Sequence, residues 1–108
     1  MIMDNLVFVF EKGALRVLII GEINHHNVAE MREKIDQKIG ELSPEKVVLD
    51  LSRLNFMDSS GIAVVINTLR NMTKLDGKLE ISGLGQQPLK VFRASGIDKL
   101  VNIKEEVK

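Results

Sequence analysis

The chain has 108 residues, 44% of them hydrophobic, enough to fill the core of one domain, so disorder is excluded for most of its length. Its 15 basic residues balance 15 acidic ones, which leaves no basic stripe of the kind that holds duplex nucleic acid. There is no cysteine, so disulfides, thiolate nucleophiles and cysteine-ligated metals are excluded, and no apolar run exceeds five residues, far short of a membrane span.

Leu6 to Phe10 and Leu15 to Gly21 are rich in strand-forming residues, separated by Glu11-Lys12-Gly13-Ala14. Gly13 supplies the positive φ that a short hairpin loop needs, so the two runs are expected to pair antiparallel. Val17-Leu18-Ile19-Ile20 does not alternate, the pattern of a strand buried on both faces. From Val28 the period changes. Val28, Met31, Ile35, Ile39 and Leu42 form one stripe of an amphipathic helix, with Glu30–Lys34 as an i,i+4 pair on its polar side. Asn27 with Glu30 resembles a capping box, Asn24 is the competing cap, and Ser43-Pro44 ends the helix.

Val47 to Leu51 reads as a second buried strand, which the intervening helix makes parallel to the first. After a loop from Ser52 to Met57, Asp58-Ser59-Ser60-Gly61 opens a second helix with Ile62, Val65, Ile66, Leu69 and Met72 facing inward. Asp76-Gly77 turns into a strand at Lys78 to Ser82. Gly83-Leu84-Gly85 then leads to a short helix around Pro88 to Ala94, stopped by Gly96. Leu100 to Ile103 predicts a last short strand, and residues 104–108 a polar tail. The expected fold is α/β (α+β): a mixed sheet of four to five strands with helices packed mainly on one side.

Enzyme signatures are quickly eliminated. There is no nucleophile elbow, no P-loop and no complete Gly-x-Gly-x-x-Gly. The two histidines, His25 and His26, are adjacent, a poor spacing for joint chelation, so no metal site is expected. The informative stretch is Asp58-Ser59-Ser60-Gly61 after a buried strand. A helix start carries free N–H groups and a positive dipole end; Asp58 is a natural cap, and Ser59 and Ser60 lie near the same donors. Plain capping accounts for this pattern. A hydroxyl placed there can equally be phosphorylated at small conformational cost. Gly61 would leave the surface open to a partner, and Phe56 and Met57 either offer apolar contact area or pack inside.

Gly21-Glu22-Ile23-Asn24-His25-His26, Val47-Val48-Leu49-Asp50-Leu51, Phe56-Met57-Asp58-Ser59-Ser60-Gly61-Ile62 and Ser95-Gly96-Ile97 together resemble the STAS domain family of bacterial anti-sigma factor antagonists. The likeness runs over nearly the whole chain, 1–108, as one domain, and lies nearest the sporulation-type antagonists of the anti-sigma F factor. It implies a binding protein without catalytic residues, cofactor or metal. The unphosphorylated form would bind an anti-sigma factor that is also a serine protein kinase, freeing the sigma factor. The kinase would use its own ATP to phosphorylate Ser59, with Ser60 the weaker candidate, and a serine phosphatase would reverse the step. The resemblance places partner binding at Asn24, His25, Met57, Asp58, Ser59, Ser60, Gly61 and Ile62. It implies a cytoplasmic protein, monomeric when free, that touches neither nucleic acid nor membrane. The family commonly has an aspartate where this chain has Asn24; an amide can cap the helix but supplies no charge. Two other functions fit the residues: a scaffold STAS protein of a stress-signalling or lipid-transport complex, and a hydrolase with Ser59 as nucleophile.

Overall fold

The computed structural model describes residues 5–104. A hairpin opens the chain, β1 (Leu6–Glu11) and β2 (Ala14–Ile19), paired antiparallel with Leu6 opposite Ile19 and Glu11 opposite Ala14. Both loop residues take positive φ, Lys12 at 52° and Gly13 at 81°, the mirror-image turn whose twist suits paired strands. A three-residue strand, β3 (Gly21–Ile23), precedes helix α1 (Val28–Leu42). Strands β4 (Lys46–Asp50) and β5 (Leu54–Met57) follow, then helix α2 (Ile62–Lys74) and strand β6 (Lys78–Ser82). Helix α3 (Gln86–Ser95) and strand β7 (Asn102–Lys104) complete the order.

The main sheet has five strands in the order β1-β2-β4-β6-β7, all parallel except β1 at the edge. Successive parallel strands are added in one direction, and right-handed crossovers then put every connecting helix on the same face. That face holds the core: Leu15, Val17 and Ile19 of β2, Val47 and Leu49 of β4, and Leu79 and Ile81 of β6. Met31, Ile35 and Ile39 of α1, Val65 and Met72 of α2 and Phe92 of α3 pack down on it. The stripe read from the sequence for α1 is the stripe that is buried.

Among the described residues the opposite face carries no helix, which corrects the reading of β2 as covered on both sides. Leu18 and Ile20 are only half-buried, and Arg16 is exposed. Charged side chains span this face instead: Arg16 pairs with Asp50 at 2.8 Å and Lys46 with Glu80 at 3.2 Å.

Other differences have local causes. Leu54 to Met57 is a strand, where a loop was expected; β5 pairs parallel with β3 in a separate two-stranded sheet. Gly21 is not the end of β2. Its φ of 93° turns the chain out of the main sheet, and its N–H donates to the Arg53 carbonyl at 3.0 Å. Asp58 caps a single 3-10 turn, Ser59–Gly61, before α2 proper begins. Ile66 is 40% exposed, and the buried place expected for it goes to Thr68, whose hydroxyl donates back to the Val64 carbonyl at 2.8 Å. Asn27 makes no side-chain cap bond to α1; the Asn24 side chain instead accepts within the preceding turn, from His26 and Asn27, and its backbone carbonyl accepts from the Val28 N–H at 3.0 Å. The ion pair on α1 is Lys38–Glu41 at 3.6 Å, where Glu30–Lys34 was expected. Lys104 closes β7 and is no part of a tail; residues 105–108 lie outside the described residues.

Candidate functional site

Two connections meet where β3 and β5 end side by side: the turn from Asn24 to Asn27 and the segment from Asp58 to Gly61. Parallel strands deliver their following loops to one end of a sheet, so the pairing of β3 with β5 brings these loops together. The Asp58 N–H donates to the Ile23 carbonyl at 3.0 Å, and the His25 N–H donates to Asp58 Oδ2 at 3.2 Å. His25 Nδ1 stands 3.6 Å from the same carboxylate oxygen.

The first turn folds on the Asn24 amide. Asn24 Oδ1 accepts from the N–H groups of His26 at 2.9 Å and Asn27 at 3.2 Å, and Asn27 Oδ1 accepts from the Asn24 N–H at 3.0 Å. Capping needs an oxygen and no charge, so asparagine suffices here. His25 and His26 lie in this turn rather than on a helix, and their rings approach to 4.0 Å between centroids with a 39° tilt.

Asp58 organises the second segment. Its Oδ1 accepts from the Ser60 N–H at 2.9 Å and from the Ser60 hydroxyl. The Ser60 hydroxyl is the largest cause holding the Asp58 carboxyl below its usual range, against some desolvation and with help from the Ser60 and His25 N–H groups. Asp58 is thereby kept ionised. Its own carbonyl accepts from the Gly61 N–H at 3.0 Å, and the Ile62 N–H turns to the carbonyls of Ser59 and Ser60. Of the donors expected to await a phosphate at the helix start, the N–H groups of Ser60, Gly61 and Ile62 are therefore already engaged.

This arrangement separates the two serines. Ser60 is half-buried and tied to Asp58, while the Ser59 hydroxyl is exposed, with no hydrogen-bond partner among the described residues. No hydrogen bond joins Ser59 to either histidine, so the serine–base contact of a hydrolase is not formed. Ser59 sits at the mouth of a groove of about 460 Å³ between the start of α2 and α3, whose lining includes Ile62, Lys90, Val91 and Ala94.

Three residues expected to touch a partner lie beneath the surface. Met57 is fully buried, Gly61 is buried, and Ile62 is 8% exposed. A Cβ on Gly61 would lie 2.7 Å from Met57 Cε and 3.2 Å from Ile23 Cγ2, so this glycine permits close packing inside rather than approach from outside. Phe56, 42% exposed, is the apolar residue presented beside the site. The sequence reading missed Gln87. Its Oε1 accepts from the Met57 N–H at 2.9 Å and its Nε2 donates to the Met57 carbonyl at 2.8 Å, joining α3 to the free edge of β5. A glutamine in a first helical turn carries no sequence signal for such a role. Among the described residues no group of three His, Asp or Glu side chains is placed to hold a metal ion.

The profile of the STAS domain matches residues 5–108. The anti-sigma F factor antagonist of Lysinibacillus sphaericus is 31% identical over 75% of this chain and 69% of its own. That of Paenibacillus polymyxa is 29% identical over 85% and 79%. Among solved structures, the Bacillus cell-fate determinant SpoIIAA in its phosphorylated form superposes with a TM-score of 0.71 at 25% identity, covering 94% of this chain and 92% of that one.

Proposed function

The chain belongs to the STAS-domain family, and on that premise we propose that it is an anti-sigma factor antagonist controlled by phosphorylation of Ser59. In this reading the unmodified chain binds an anti-sigma factor through the surface around Ser59, Phe56 and the α2–α3 groove, and so frees a sigma factor. The anti-sigma factor is also the kinase: it moves the γ-phosphoryl group of ATP to the Ser59 hydroxyl, which gives up its proton, and ADP leaves. The dianion then opposes rebinding by charge and bulk at a desolvated contact, and a serine phosphatase restores the hydroxyl. The cycle takes place in the cytoplasm; among the described residues no helix is long and apolar enough to cross a membrane.

One observation carries the choice of Ser59. Of two adjacent hydroxyls, one is bound to a carboxylate and the other is exposed and unengaged. A kinase must detach Ser60 from Asp58 before using it, and meets no such cost at Ser59. Two relatives are anti-sigma F factor antagonists by name, and one related structure is of a phosphorylated form, which supports the reading. Incubation with a candidate anti-sigma factor kinase from the same organism and ATP, followed by mass-spectrometric mapping, tests it. The expected result is phosphate on Ser59 and loss of the complex. Phosphate mainly on Ser60, or an intact complex after complete phosphorylation, overturns it.

A further inference from the structure

A phosphoryl group on Ser59 has to find its counter-charge in an unusual setting. The helix start offers little, because the N–H groups of Ser60, Gly61 and Ile62 are taken by Asp58 and by local carbonyls. On the chain's N-terminal side stands the Asp58 carboxylate, itself ionised, which repels a second anion. On the other side lies the α2–α3 groove, where the residue of formal charge in the lining is Lys90 among Ile62, Val91, Ala94 and Ser95. Apolar walls strengthen the attraction between charges across such a groove.

Lys90 is exposed, on a helix whose first turn is fixed. Gln87 fixes the first turn of α3 to Met57, immediately before the Asp58 segment, through two hydrogen bonds. Residues three apart on a helix share a face, so Lys90 lies on the side of α3 that Gln87 anchors, and it lines the same groove as Ser59.

We propose that Lys90 is the counterion of phosphorylated Ser59, drawn across the mouth of the α2–α3 groove when the phosphoryl group arrives. The proposal rests on phosphorylation at Ser59 as read above and adds how the modified state is held. The switch then does two things. It adds negative charge to the surface, and it withdraws the groove floor of Ile62, Val91 and Ala94 from any partner.

The test is a phosphorus NMR titration of the full chain carrying phosphoserine at position 59, installed during translation so that no kinase is needed. Wild type, Lys90→Gln, Lys90→Arg and Lys74→Gln are compared; Lys74 lies at the far end of α2. Asp58 and His25, the other ionisable groups beside the phosphate, are common to all four. A cation about 4 Å away favours the dianion, so Lys90→Gln should raise the second phosphate pKa by roughly half a unit. Lys90→Arg should keep the wild-type value, and Lys74→Gln should change nothing. In molar salt the difference should shrink. Methyl signals of Val91 should shift on phosphorylation by more in wild type than in Lys90→Gln. If Lys90→Gln moves the pKa no more than Lys74→Gln, the proposal is wrong. Affinity for the anti-sigma factor, measured on the same samples, separates the two claims: a phosphate that lowers affinity without the Lys90 effect defeats this inference alone, and one that leaves affinity intact defeats the switch itself.

Discussion

Gln87 grips Met57 at both of its backbone polar groups, taking the N–H at 2.9 Å and giving to the carbonyl at 2.8 Å. The side-chain amide thus stands in for a neighbouring strand along β5, whose other edge is paired with β3. Met57 is fully buried, so both groups would otherwise be desolvated without partners. Gln87→Ala should therefore cost about 2 kcal/mol, or roughly 10 °C in melting temperature. Gln87→Glu, which keeps an acceptor-type oxygen and loses the donor, should not recover wild-type stability. Thermal melts of the three forms check this, and a Gln87→Ala protein as stable as wild type would show that the clasp is dispensable.

Gly61 takes φ of −62° and has no need of a glycine's conformational freedom; its constraint is space. Gly61→Ala forces Met57 Cε and Ile23 Cγ2 to give way in a filled interior. Overpacking costs about 1–3 kcal/mol and better helix propensity returns up to about 1, so a net loss of about 1 kcal/mol is expected. Gly61→Val should be far worse. Urea unfolding of both variants measures it.

Acid should weaken the protein through Asp50 and Asp58. Burial acting alone would raise Asp50, but hydrogen bonds from Ser52 and the Arg16 guanidinium outweigh it, and Asp58 is lowered chiefly by Ser60. A carboxyl whose folded value lies below its unfolded value contributes stability that is complete above the unfolded value, about 4. That contribution is lost as pH falls from there through the folded values. Stability should thus rise with pH across this window, and Asp50→Asn and Asp58→Asn should each flatten the rise. Ser60→Ala should return the Asp58 carboxyl toward its ordinary range, which a carbon-13 NMR titration of Asp58 reads directly.

Ser59→Asp should lower affinity for the anti-sigma factor by roughly 100-fold or more, the scale of several kcal/mol at a desolvated contact. The melting temperature should hardly move, because the hydroxyl it replaces is exposed and unengaged. Ser59→Ala should bind as wild type does and stay bound in the presence of ATP. Calorimetric titration alongside thermal melts separates the two effects; an Asp variant that binds normally contradicts the switch.

Much of this was legible in the sequence, and the gaps have physical reasons. The stripe Met31, Ile35 and Ile39 and the hairpin around Gly13 follow from periodicity and turn chemistry, which are local. Strand β5 was missed because Leu54-Asn55-Phe56-Met57 buries its two ends and exposes its middle, so neither alternation nor a continuous apolar run marks it. Its pairing with the three residues of β3 is a tertiary fact. Ile66 was placed inside by its spacing, but the buried stripe of α2 runs through Ile62, Val65, Thr68 and Met72, and Thr68 hides its hydroxyl on a backbone carbonyl. Of the site, the Asp58–Ser59–Ser60 segment was visible. The unequal fates of the two serines, the inward role of Gly61 and the reach of Gln87 depend on what stands across from each.

The register of the main sheet also bears on how quickly the chain can find this structure. Lys46 pairs with Ala14 on one side and with Lys78 on the other, and Glu80 pairs with Asn102. Only β1 and β2 are joined by a tight turn. Each parallel pairing must close a long loop, helix included, before its contacts form. The hairpin is the cheap nucleus, and each later strand has to be brought back from far along the chain. Refolding should accordingly be slow for a protein of this size, on the order of milliseconds or longer, where an all-helical chain of equal length would take microseconds.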